Sequence, residues 1–229
     1  MSKIKVILWD IDGTLLDFEA VEKVAIRHCF DKVGFGVCTD EMLKTYMGIN
    51  RGYWQRLERG EITKQEVLVG RFREFFGVCG LDTSVAEKFN EEYQIALGEN
   101  YVFCENAREV IAACKKRMPQ YAVTNGTKVA QDGKLKNSGL IHVFDRVFIS
   151  EEVGYEKPDV KFFDEVFRSI GEYDRKEVLI VGDSLTSDIR GGNNAGIVTC
   201  WYNPKKLKND AGVTVDYEIT DLTQVLELL

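Results

Sequence analysis

Histidine is nearly missing from this chain. Its 229 residues hold only His28 and His142, and neither stands at a metal-ligand spacing from any of the six cysteines. No two cysteines form a Cys-x-x-Cys pair, which leaves zinc-site and dithiol chemistry without a footing. Scattered single thiols suit a reducing compartment. Proline is scarce too, at three residues, while 45% of the chain is hydrophobic. That balance describes an ordered globule, large enough for one domain or a core with a smaller companion. No stretch approaches the ~18 apolar residues of a membrane span. Lys3 and Lys5 precede an apolar run that Asp10 cuts well short of a signal-peptide core. A cytoplasmic protein with no membrane partner is expected. Cationic surface is also lacking: the formal net charge of −7 argues against binding a nucleic-acid polymer, which needs many Lys and Arg to displace counterions. The short basic run at 205–208 reads as a solvated loop. A small anionic substrate stays open, because a few local cations and a metal ion suffice to hold one.

Short runs rich in Val and Ile recur at 5–9, 121–123, 146–149, 178–181 and 197–201. Each reads as a buried strand, and helical patterns separate most of them. Such alternation implies an α/β fold, a Rossmann-like parallel sheet with helices on both faces. Ligands of such sheets sit beyond the carboxyl ends of the strands. Residues 17–100 break the rhythm, with helical patterns near 17–33, 39–59, 63–76 and 82–97 and no convincing strand. Thr63 and Glu66 make a capping box, and Leu68, Phe72, Phe75 and Phe76 repeat at helical spacing. The expected organisation is a core domain of residues 1–16 and 101–229 around an inserted all-helical domain, 17–100. The aromatic stripe is first of all the insert's own core.

Residues just past each strand carry the chemistry. After the first strand come Asp10 and Asp12; after "YAV" come Thr124, Asn125 and Gly126; after "VLIV" come Gly182 and Asp183, with Asp188 a helical turn on. Lys157 and Pro158 lie past the "VFIS" strand and open a helix. A parallel sheet brings all of these to one edge. Any single strand-end aspartate could simply cap a helix, but four such clusters at successive strand ends suit phosphoryl transfer. A carboxylate attacking a phosphate ester meets like-charge repulsion, so positive charge must be supplied. Oxygen ligands from Asp10, Asp12 and Asp183 fit Mg²⁺. Lys157 can add a point charge, and Thr124 and neighbouring amides can donate to phosphate oxygens.

In order and context, "DIDGT" at 10–14, Thr124, "KP" at 157–158 and "GDSLTSD" at 182–188 resemble the four motifs of the haloacid dehalogenase superfamily. The likeness covers the core, about 130 residues outside the insert, and the insert is similar to that superfamily's helical cap. The resemblance implies Asp10 as nucleophile and Asp12 as general acid and base. It implies Thr124, Asn125 and Lys157 as phosphate-binding residues. It also implies Mg²⁺ held by the Asp10 carboxylate, the Asp12 backbone carbonyl and Asp183, with Asp188 supporting the metal's waters. Dehalogenases of the superfamily lack an acidic residue two positions after the nucleophile, so Asp12 implies a phosphatase.

Two lures fail. "GDSL" at 182–185 also names a group of serine esterases, but both histidines precede Ser184 and no base comes after it. "GGNNAG" at 191–196 lacks dinucleotide-fingerprint spacing. A phospho-accepting receiver module is the rival from another class, since it also joins an aspartyl phosphate, Mg²⁺, Thr and Lys on a parallel sheet. Its motif order differs and it carries no large insert. Residues 124–135, 148–164 and 181–204 are similar to bacterial pyrimidine 5′-nucleotidases of the YjjG type, which implies a nucleoside monophosphate as the small-molecule substrate. Phosphoglycolate and sugar-phosphate phosphatases or mutases are the alternatives. A flat base needs a stacking partner, and Phe18, Tyr46, Tyr53 and Trp54 of the cap are the candidates.

Overall fold

The computed structural model describes residues 4–229. Among these residues six parallel strands form one sheet: β1 (Val6–Trp9), β2 (Gln120–Thr124), β3 (Arg146–Ile149), β4 (Val178–Gly182), β5 (Val198–Tyr202) and β6 (Tyr217–Ile219). Their order is β3-β2-β1-β4-β5-β6. The chain therefore winds outward from β1 first to one side and then to the other, and the strand order reverses beside β1. That reversal opens a crevice past the strand ends.

Strand periodicity sets the two faces. Ile7 and Trp9 of β1 point into a core with α5 (Ala107–Lys115) and Leu135 of α6 (Lys128–Ser138). Val6 and Leu8 point the other way, onto Phe162, Phe163 and Val166 of α8 (Val160–Ile170). Both faces are covered, which is why the strands read as continuous apolar runs instead of alternating ones. Short helices α7 (Ser150–Val153) and α9 (Arg190–Ala195) complete the layers. The strand β6 escapes a sequence reading: it has three residues, and only Ile219 is buried.

Between β1 and α5 lie four helices, α1 (Phe18–Val33), α2 (Asp40–Glu58), α3 (Lys64–Cys79) and α4 (Ala86–Glu99). Asp17 caps α1 by accepting from Ala20 N at 3.0 Å, and Gly34 ends it in a left-handed conformation. The Thr63–Glu66 capping box opens α3 as expected. Phe30, Tyr46, Phe72, Phe75, Phe76, Phe89 and Tyr93 gather in a core of their own, separate from the two sheet faces. The outgoing and returning connections run side by side, with Asp17 N donating to Val102 O at 2.8 Å and Cys104 N to Leu15 O at 3.0 Å. The helical unit rests on the sheet unit where α4 meets α6. A Cβ on Gly133 would come 2.7 Å from the Gly98 Cα, so the absence of side chains lets the two backbones touch. Among the described residues no helix is long and apolar enough to cross a membrane.

Candidate active site

Asp10 leaves the central strand, its N–H still bonded to Val181 O at 2.9 Å, so β1 and β4 fix its backbone. Its carboxylate takes Lys157 Nζ at 2.9 Å on one oxygen and Thr14 Oγ1 at 3.0 Å on the other. Lys157 is 1% exposed and donates twice more, to Val123 O at 2.8 Å and Asp188 Oδ1 at 2.6 Å. Burial alone would lower the Lys157 pKa, but Asp10 and Asp188 more than offset it and raise it, so the ammonium stays charged. Asp10 feels the opposite balance. Burial pushes its carboxyl up to about 7, with Lys157 pulling it down and Asp188 pushing it further up.

Glycine geometry makes this crowding possible. At Gly13, with φ at +92°, a Cβ would stand 2.5 Å from Asp183 Oδ2; at Gly182 it would stand 2.3 Å from the Asp188 carboxyl. Carboxylate oxygens of Asp10, Asp183 and Asp188 come within 4.8 Å of one another. Asp183 is exposed to solvent, whereas Asp188 is buried with its second oxygen on Ser184 N at 3.1 Å. Desolvation of its carboxyl, which packs against Gly13 although the residue as a whole is exposed, and then Asp10 and Asp188 raise the Asp183 carboxyl. An all-oxygen donor set with excess negative charge fits a hard divalent cation. A π-helical turn over Leu185–Ile189 turns Asp188 back beneath Lys157.

Thr124 ends β2 next to this cluster and is 1% exposed, its hydroxyl accepting from Gly126 N at 3.0 Å. Asn125 holds Lys157 by its backbone. Its Nδ2 donates to Lys157 O at 2.8 Å, and its Oδ1 accepts from Lys157 N at 2.9 Å. Asp12 is held from α6, where Lys134 Nζ reaches one oxygen at 2.5 Å and Gln131 Nε2 the other at 2.6 Å.

The helical unit touches the site from both ends of its α2–α3 turn. At the end of α2, Glu58 accepts from Thr186 Oγ1; burial pushes its carboxyl up to about 7. At the start of α3, Lys64 donates to Ser150 Oγ at 2.8 Å and Gly126 O at 3.2 Å. Of the four aromatic candidates, two do not line the cleft. Tyr46 is fully buried and stacks on Phe72 with ring centroids 5.3 Å apart. Tyr53 lies against Gly70 of α3, where its ring would clash with a Cβ at 2.8 Å. Phe18 does approach the site, its ring 5.0 Å from Lys134 Nζ. Trp54 is half-buried on α2, one turn before Glu58. No motif in the sequence singles out Glu58, Lys64, Gln131 or Lys134. For the last two the one signal is a pair of polar residues at i and i+3 on a helix that starts just past Thr124.

A family model described as haloacid dehalogenase-like hydrolase matches residues 4–196. The chain belongs to that family. As a haloacid dehalogenase-like hydrolase it is 36% identical over 227 residues to the pyrimidine 5′-nucleotidase PynA of Streptococcus pneumoniae, spanning 98% of this chain and 94% of that one. It is 31% identical over 223 residues to the pyrimidine 5′-nucleotidase YjjG of Escherichia coli, spanning 97% and 96%. The magnesium-bound crystal structure of YfnB from Bacillus subtilis superimposes with a TM-score of 0.94 at 34% identity, covering 100% of this chain and 99% of that one. Membership of a hydrolase family sets the receiver-module reading aside.

Proposed function

We propose that this hydrolase is a magnesium-dependent phosphomonoesterase that works through an aspartyl phosphate on Asp10, with pyrimidine nucleoside 5′-monophosphates as substrates. The observation that carries the reaction is the buried Lys157 ammonium joined to Asp10 and Asp188. It keeps cationic charge where a carboxylate must approach a phosphate. One Asp10 oxygen attacks phosphorus in line, and the bond from phosphorus to the alcohol oxygen breaks. Asp12 gives that oxygen its proton as it leaves. Water then attacks phosphorus, Asp12 takes the water's proton, and Asp10 returns as a carboxylate with inorganic phosphate released. Thr124 and the amides after it suit the phosphate's outer oxygens. Held by the Asp10 and Asp183 carboxylates and the Asp12 backbone carbonyl, magnesium would supply Lewis-acid charge to the transferring group.

The substrate reading is supported by two nucleotidase relatives that match nearly the whole chain, helical unit included. Of the helical unit's aromatics, Phe18, close to Lys134, and the half-buried Trp54 are our candidates for stacking on a base. The test is turnover of UMP, CMP, phosphoglycolate, hexose phosphates and p-nitrophenyl phosphate with Mg²⁺. Pyrimidine monophosphates should give the highest kcat/KM among the natural esters. Phosphoglycolate or a hexose phosphate in first place would move the substrate assignment, and no turnover of any ester would end the reading.

A further inference from the structure

General acid catalysis demands geometry first: the acid must sit within hydrogen-bond reach of the leaving oxygen. Asp12 has no strand to hold it. It lies beyond β1 and next to Gly13, whose φ is +92°. Its carboxylate is nevertheless fixed at both oxygens, by Lys134 at 2.5 Å and by Gln131 at 2.6 Å. We propose that Gln131 and Lys134 are positioning residues for Asp12, setting the direction from which its carboxyl meets the leaving group. The inference rests on the phosphomonoesterase reading above.

Five features make this more than a surface ion pair. Gln131 is fully buried and Lys134 is 2% exposed, so the contacts are enclosed and charge-assisted, unlike solvated pairs that contribute little. Both donors lie three residues apart on one face of α6, so a single rigid element carries them. The chain makes room for this: a Cβ on Gly126 would stand 2.1 Å from Gln131 Nε2. The helix itself is anchored twice. Thr127 caps its start, accepting from Ala130 N at 3.3 Å, and Gly133 seats it against Gly98 of α4. The Phe18 ring lies 5.0 Å from the Lys134 ammonium, at the first residue of α1. The orientation of Asp12 is thereby tied to the same two elements, α1 and α4, that join the helical unit to the sheet unit.

A pair that only stabilised the fold would lower the melting temperature and leave the leaving-group dependence of the rate alone. A positioning pair acts most on esters whose alcohol needs a proton. The experiment measures kcat and KM for UMP and p-nitrophenyl phosphate, with Mg²⁺, in the intact protein and in Lys134→Met, Gln131→Ala and Asp10→Asn. Lys134→Met keeps an apolar stem beneath Phe18 and removes the ammonium. It should lower kcat on UMP by about 10- to 100-fold, with about threefold or less on p-nitrophenyl phosphate and little change in either KM. Gln131→Ala should show the same asymmetry at about 3- to 10-fold. Should Lys134→Met fail to fold by circular dichroism, Gln131→Ala carries the test. Equal losses on the two esters, or no loss on UMP, overturn the proposal while Asp10→Asn stays inactive. Activity retained by Asp10→Asn overturns the esterase reading instead, and the proposal falls with it.

Discussion

Replacing Lys157 by Met removes the ammonium at the centre of the site while keeping most of its volume. That ammonium is 1% exposed and bonds two carboxylates and a carbonyl. Without it, Asp10 and Asp188 face each other in a buried volume, and Val123 O loses a donor. Removing one partner of a buried ion pair costs about 3–5 kcal/mol, because the remaining charge is stranded. Two stranded carboxylates put Lys157→Met at the upper part of that range. The orphaned Asp10 carboxyl can escape by taking up a proton, since burial already holds it at about 7, so the loss must shrink in acid. Urea unfolding of metal-free protein at pH 8 and pH 5.5 reads both effects. The variant should lose about 3–5 kcal/mol at pH 8 and clearly less at pH 5.5. A loss below about 1 kcal/mol at pH 8, or one that does not change with pH, would refute the idea that Lys157 neutralises a buried carboxylate pair.

Other residues give three more expected outcomes. Asp12→Asn should cost about 10²–10⁴-fold on UMP, and less on p-nitrophenyl phosphate, whose leaving group needs little protonation; equal losses would mean that Asp12 serves the metal instead. Glu22, buried in the helical unit and accepting from Asn50 at 2.7 Å, has its carboxyl pushed by burial from 4.5 up to about 7. Between those values the folded state holds a proton that the unfolded chain releases. Stability should therefore fall as pH rises through that window, by up to about 3 kcal/mol, and level off above it. Glu22→Gln should remove that slope in urea titrations at pH 5 and pH 8.5, and an unchanged slope would count against it. Gly133→Ala should force α4 and α6 apart, since its Cβ would meet Gly98 backbone at 2.7 Å. It should lower stability by about 1–3 kcal/mol, read by thermal melting; an unchanged melting temperature would contradict that contact.

The residues legible in the sequence are those whose place is set by local rules. Strands such as 178–182 announce themselves because both faces of a parallel sheet are buried, and the turn chemistry after each strand marks the functional edge. Asp10, Thr124, Lys157, Asp183 and Asp188 converge because the topology brings strand ends together. The contacts of Asp12 with Gln131 and Lys134 join residues more than a hundred positions apart. Periodicity shows that a helix has a buried face, and not what that face meets. The same gap misplaces Tyr46. An aromatic on α2 looks alike whether it stacks on Phe72 inside the helical unit or on a ligand, and only the packed structure decides. The strand β6 is silent because an edge strand with one buried residue has no hydrophobic run.

The central claim is covalent catalysis by Asp10, and the most direct measurement is rapid acid quench of a single turnover with Mg²⁺, with mass spectrometry of the peptides. A phosphoryl group is expected on the peptide that holds Asp10. It should appear before free phosphate, and it should be absent in an Asp10→Asn protein that has lost at least ~10³-fold of the rate. Phosphate released with no phosphorylated peptide, from an Asp10→Asn protein that keeps its rate within about tenfold of the parent, would contradict it.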